Sequence, residues 1–128
     1  MRFVCKWISM KVVTSRSPAS KKFAKGDIFQ APTAHGEGNY YIEQEKLREL
    51  HDNDQIVFKY CNAAGMETQD SNPNGSLDNI AGVCNLEGNV VGLMPHPERA
   101  SERILNPFKN EKGRIVLESF REYLQGRK

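Results

Sequence analysis

Val90 to Ala100, VVGLMPHPERA, places a histidine and a glutamate two residues apart, each preceded by a proline. An imidazole and a carboxylate held together suit one kind of chemistry. The carboxylate fixes which ring nitrogen carries the proton and leaves the other free to take one. Pro95 and Pro97 lock their own φ angles and push Met94 and His96 out of the helical region. The stretch is therefore expected to be extended, with His96 and Glu98 on the same side and Cβ atoms roughly 7 Å apart. The pair is two-thirds of a nucleophile–base–orienter triad. The competing reading is a surface ion pair beyond an edge strand. The position supports function, because the pair follows a short apolar run, NVVGLM, and open α/β sheets gather their sites beyond the carboxyl ends of strands.

The elements that must hold the pair can be read from patterning. Residues 2–13 alternate and are rich in β-formers, and residues 14–26 are polar and basic and read as an exposed loop. DIFQAPTAHGEGNYYI begins as a strand and ends in a glycine-punctuated turn. EQEKLRELHDND is a short helix with Leu47 and Leu50 on one face, and QIVFKYCNAAG is the next strand. ETQDSNPNGSLDN is a loop, IAGVCN and NVVGLM flank a hairpin turn at LEG, and SERILNPFKNEKG is a loop again. RIVLESFREYLQG is a helix with Gly126 placed to stop it. Two helices cannot cover both faces of four or five strands. Either one sheet face is wet or helices come from elsewhere.

Length, charge and cysteines set the outer bounds. At 128 residues the chain is one domain, and a net charge of +2 is too small for a nucleic-acid footprint. No apolar stretch approaches a membrane span, and Lys6 and Lys11 interrupt the first apolar run, so no signal peptide is read. Three cysteines without C-x-x-C spacing argue against a disulfide framework or a zinc site and fit reduced thiols. The expectation is a soluble cytoplasmic domain.

AHGEGNYY, the run NPNGSLDNIAGVCNLEGNVVGLMPHPERA and the opening RFVCKW together resemble the glutaminase subunit of phosphoribosylformylglycinamidine synthase, a class I (triad-type) glutamine amidotransferase. The resemblance implies an α/β fold: the C-terminal portion of a class I glutamine amidotransferase-like (flavodoxin-like) domain over residues 1–128, strand-rich with a C-terminal helix. It maps the histidine and glutamate of a Cys–His–Glu triad onto His96 and Glu98, and sets His35 and Glu37 of AHGEG beside the active site. For the histidine–glycine turn a satisfied structural histidine is the competing reading, and no metal site is expected. The resemblance also implies partners: an ATP-dependent large synthetase subunit and a small accessory subunit. ATP and magnesium belong on the synthetase, with no cofactor in this chain.

The nucleophile is the difficulty. The family's cysteine sits in a Gly-x-Cys-Asn-Gly elbow between a strand and a helix, where the dipole favours thiolate. Gly82-Val83-Cys84-Asn85 matches four of the five positions, but Leu86 replaces the last glycine and a strand follows. With the hairpin turning about Glu87–Gly88, Cys84 lies opposite Val91, five residues short of His96. At about 3.3 Å per residue that is roughly 16 Å, against the ~3 Å a nucleophile and its base need. Cys5 and Cys61 lie in strand patterns and read as small buried hydrophobes. Two expectations follow. Either the chain works only with an N-terminal half that carries the cysteine, and is inactive alone, or it is a non-catalytic docking or structural module built on the same fold.

Overall fold

The computed structural model describes residues 3–126. Strands β1 (Val4–Val12), β2 (Ile28–His35), β3 (Ile56–Cys61), β4 (Ile80–Cys84) and β5 (Val91–Leu93) form one sheet in the order β2-β1-β3-β4-β5, and every pairing is antiparallel. Helix α1 (Gln44–Asp52) precedes β3 and helix α2 (Gly113–Gln125) closes the chain. Short 3-10 turns cover Leu77–Asn79 and Pro97–Ala100.

Side-chain alternation decides which face of the sheet is core. In β1, Ile8, Met10 and Val12 are buried while Ser9 and Lys11 point to the other side. Phe29 and Ala31 of β2 and Phe58 and Tyr60 of β3 join them on the main core face. On the opposite side α1 lays Leu50 and Leu47 against Ile56, Ile80 and Val83 in a smaller cluster. All six residues of β3 are buried, as a central strand covered on both faces requires.

The basic segment 14–26 corrects the expectation of an exposed loop. It is irregular, but Ser17, Ala19, Ser20 and Phe23 are buried in it. Phe23 stacks on Phe29 with ring centroids 4.9 Å apart and meets Phe58 edge-on at 6.3 Å. Each such buried ring contributes about 2–3 kcal/mol. The Lys22 N–H donates to Ser119 Oγ of α2, while Lys21, Lys22 and Lys25 stay in solvent. The segment therefore acts as a non-helical lid on the core face, with α2 beside it. Composition concealed this, because serines that read as polar surface are buried beside Ala19 and Phe23.

The β4–β5 hairpin turns where the sequence places it. Cys84 pairs with Val91, and the Gly88 N–H donates to the Asn85 carbonyl at 3.0 Å. Gly88 has φ +77, and a side chain there would strike the Arg16 guanidinium, which donates to the Asn85 and Leu86 carbonyls.

The sheet is strongly curled. β2 and β5 are its two edge strands, yet the segment just after β5 reaches β2, where the His96 N–H donates to the Pro32 carbonyl at 2.8 Å. Pro32 has no N–H to offer and is tolerated because β2 is an edge. That bond fixes the segment carrying the histidine–glutamate pair.

Candidate active site

His96 and Glu98 meet. Nδ1 of His96 lies 3.1 Å from Oε1 of Glu98, in a site open enough that the two side chains are 33% and 55% exposed. An ionised carboxylate only accepts, so Nδ1–H is the donor, and in the neutral ring the lone pair is on Nε2. Among the described residues Nε2 has no hydrogen-bond partner. The local backbone is not the expected extended run. His96 itself is non-helical, with φ −106 and ψ 85, but Pro97 opens a 3-10 turn through Ala100. Proline restricts the residue before it and is itself favoured at the first helical position, and here both effects act in succession. The contact arises from a tight turn in place of alternation along a strand. Gly113 seats α2 against that turn: a Cβ there would lie 2.2 Å from the Pro97 carbonyl oxygen.

His35 ends β2 and is buried, with a different set of partners. Asn74 is the hub. Its Oδ1 accepts from the Ser76 N–H and hydroxyl, at 3.1 and 2.7 Å, which fixes the orientation of the amide. Its Nδ2 faces His35 Nε2 at 3.2 Å, the Gly38 carbonyl at 3.0 Å and the Tyr60 hydroxyl at 3.4 Å. His35 Nε2 is therefore the acceptor, and the ring proton sits on Nδ1, which is buried without a partner. Burial pushes the Tyr60 phenol up to about 12, against a smaller opposing effect of its contact with Asn74.

Glu37 is exposed and lines a cavity of about 240 Å³ with Gly38, Asn39, Tyr40, most of β4, the end of β5 and Met94. Met94 is two residues before His96, so this cavity borders the segment that carries the pair. Neither His35 nor Glu37 hydrogen-bonds His96 or Glu98.

Among the described residues no cysteine hydrogen-bonds His96 or Glu98. Cys84 is buried in the hairpin, its backbone held by Gln55 on both N–H and carbonyl. Burial pushes its thiol up despite the Arg16 cation nearby, and burial does the same to Cys61. Cys5 is exposed on β1, which corrects the expectation of a buried hydrophobe there. Among the described residues no cluster of three or more metal-ligating side chains exists, and no helix is long and apolar enough to cross a membrane.

A second polar cluster, not foreseen from the sequence, lies on the far side of β3. Lys59 Nζ is 2.6 Å from Glu67 and 3.0 Å from Asp78, and Asp78 also accepts from His51 Nε2 at 2.8 Å. Lys11 completes it at 2.5 Å from Glu67. Burial alone would raise the Glu67 carboxyl, but Lys11 and Lys59 outweigh this and hold it below its usual range. Sequence reasoning also missed Asn74 and the Pro32 carbonyl. The asparagine was visible only as turn composition, and a backbone acceptor leaves no signal in side chains.

A curled antiparallel sheet that carries a histidine–carboxylate pair just past an edge strand fits an amidotransferase domain. The chain belongs to the CobB/CobQ-like glutamine amidotransferase domain family, whose profile matches residues 1–127. It is 54% identical over 105 residues to phosphoribosylformylglycinamidine synthase subunit PurQ of Aquifex aeolicus, covering 82% of this chain and 46% of that protein. The PurQ subunit of Methanosarcina acetivorans is 47% identical over 123 residues, covering 96% of this chain and 52% of the relative. A chain in the structure of PurLQS from Thermotoga maritima superposes with a TM-score of 0.73 at 36% identity, covering 96% of this chain and 49% of that one. The chain thus spans about half the length of the curated relatives it matches, and what it resembles is the C-terminal part of the PurQ subunit.

Proposed function

We propose that the chain supplies the base and orienter of a glutaminase that serves phosphoribosylformylglycinamidine synthase. The observation that carries this reading is the His96–Glu98 contact with Nε2 of His96 left unbonded. The nucleophilic cysteine comes from the portion of the amidotransferase domain that this chain does not span. In the reaction, Nε2 of His96 takes the proton of that thiol, and sulfur attacks the carboxamide carbon of glutamine. The tetrahedral intermediate collapses to a glutamyl thioester as the protonated imidazole returns the proton to the leaving nitrogen, which departs as ammonia. Water then adds to the thioester with His96 again as base, and glutamate and the free thiol result. Glu98 keeps the imidazole in the productive tautomer and stabilises its cationic form.

The ammonia passes to an ATP- and magnesium-dependent large synthetase subunit, with a small accessory subunit in the same complex, and amidates formylglycinamide ribonucleotide in purine biosynthesis. The same reading assigns the chain to the cytoplasm. His35 and Glu37 border the site without joining the chemistry.

The test is ammonia release from glutamine. The purified chain is expected to show none above background. Mixed with the part of the Aquifex aeolicus relative that this chain does not match, it is expected to gain activity that survives Cys84→Ala and is lost in His96→Ala. Activity of the isolated chain that vanishes in Cys84→Ala would overturn the assignment. If the mixed complex forms but never releases ammonia, the chain is a docking module of the amidotransferase fold.

A further inference from the structure

Helix α2 carries more apolar surface than its own chain uses. With Gly113 set at zero and about 100° per residue, Ile115, Ser119, Tyr123 and Val116 fall between about 200° and 300°. These residues are buried or half-buried. Phe120, Leu124 and Leu117 fall between about 340° and 40° and are 37%, 64% and 44% exposed. Arg114, Glu118, Arg121, Glu122 and Gln125 occupy the remaining arc, about 80° to 180°. The apolar arc is thus about 200° wide, whereas a helix lying on one layer needs an arc of about 100°.

The exposed part of that arc starts at the candidate site. Gly113, at the same angle, is pressed against the carbonyl of Pro97 and the backbone of Ala100, in the turn that carries Glu98. A body lying along Leu117, Phe120 and Leu124 therefore reaches the turn that carries Glu98 at the helix N-terminus.

We infer that the exposed stripe of α2, Leu117–Phe120–Leu124, is the surface on which the remaining part of the amidotransferase domain docks, in register with the histidine–glutamate pair. The occupant is argued from extent and continuity. The relatives are about twice as long as this chain, which covers 46% and 52% of the two compared above. The stripe also adjoins the very turn that awaits a nucleophile. The inference rests on the proposed function for the identity of the occupant.

The test uses this chain with the part of the Aquifex aeolicus relative that it does not match. Binding is read by calorimetry and by size-exclusion with light scattering, and ammonia release is measured on the same samples. The double variant Leu117→Glu/Leu124→Glu is expected to weaken binding at least 100-fold, while Glu122→Lys on the charged arc changes it less than threefold. The far-UV circular dichroism of the isolated variant should match the parent, because both positions are already in solvent. Should the added part be insoluble alone, the two are joined as one chain and melted. The double variant is then expected to lower Tm by at least 8 °C and Glu122→Lys by under 2 °C.

Undiminished binding or melting in the double variant overturns the inference, as does a parent chain that never binds the added part. So does a homodimer of this chain that the double variant abolishes while the added part binds neither form. Binding through the stripe without glutamine hydrolysis would sink the functional reading and leave the docking surface standing. Hydrolysis undiminished in the double variant would do the reverse.

Discussion

The two histidines of the candidate region occupy opposite settings. His96 stands on a 3-10 turn, a third exposed, with one nitrogen held by Glu98 and the other unbonded. His35 lies buried at the end of β2, with one nitrogen held by Asn74 and the other enclosed without a partner. In the neutral form each ring's tautomer is set by its partner, but the unbonded nitrogen of His96 lies on a partly exposed side chain, whereas that of His35 is buried. A free lone pair in the open serves proton transfer, whereas an orphaned N–H in the interior costs stability and must be repaid by its network.

The contrast is tested most sharply by truncating each ring's function. In a complex reconstituted with the nucleophile-bearing part, His96→Ala is expected to cost about 10²- to 10⁴-fold in kcat for glutamine hydrolysis. Its stability in urea should shift by no more than about 1 kcal/mol, as for a half-buried side chain. A variant that unfolds instead would erase the distinction. Glu98→Gln removes a charged hydrogen bond worth about 1.5–3 kcal/mol, so a roughly 10- to 100-fold loss of kcat is expected with KM little changed. A change confined to KM would recast Glu98 as a substrate contact.

On the buried side, Asn74→Ala strands His35 Nε2 and the Gly38 carbonyl. It should lower unfolding stability by about 2 kcal/mol, read as a shift in urea midpoint at unchanged m-value. An unshifted midpoint would mean that the network is ornamental. The smallest effect concerns Tyr60, whose phenol is raised from 10.0 to about 12 in the folded chain. Its contribution is fully present below the unfolded pKa and is lost as pH rises through about 12. Thermal stability should therefore decline between about pH 10 and 12. Tyr60→Phe should flatten that limb, and an identical limb in the variant would move its cause elsewhere.

Much of this arrangement was legible in the sequence because local signals agreed with tertiary ones. The strand patterns, both helices and the hairpin register at Cys84 and Val91 follow from alternation, helical composition and turn residues. The approach of His96 to Glu98 also followed, although its cause was misassigned. Proline's restriction of its predecessor predicts an extended run, whereas Pro97's preference for the first position of a helical turn produces the contact. Burial of the 14–26 segment was illegible because Ser17 and Ser20 satisfy each other's hydroxyls at 2.9 Å, and polar composition alone gives no hint of such pairing. The network around Asn74 joins residues up to 39 positions apart, a coupling that no local pattern encodes.

The bond from the His96 N–H to the Pro32 carbonyl has a consequence for how the site tolerates change. Both partners are main chain, so no side-chain replacement at position 32 can delete the acceptor. Successive carbonyls of a strand face opposite edges, so a one-residue slip of β2 against β1 would turn the acceptor away. The exchange rate of that single amide proton is thus a gauge of how firmly the segment after β5 is held to β2. While it stays protected, the free nitrogen of His96 is still aimed where the strands put it.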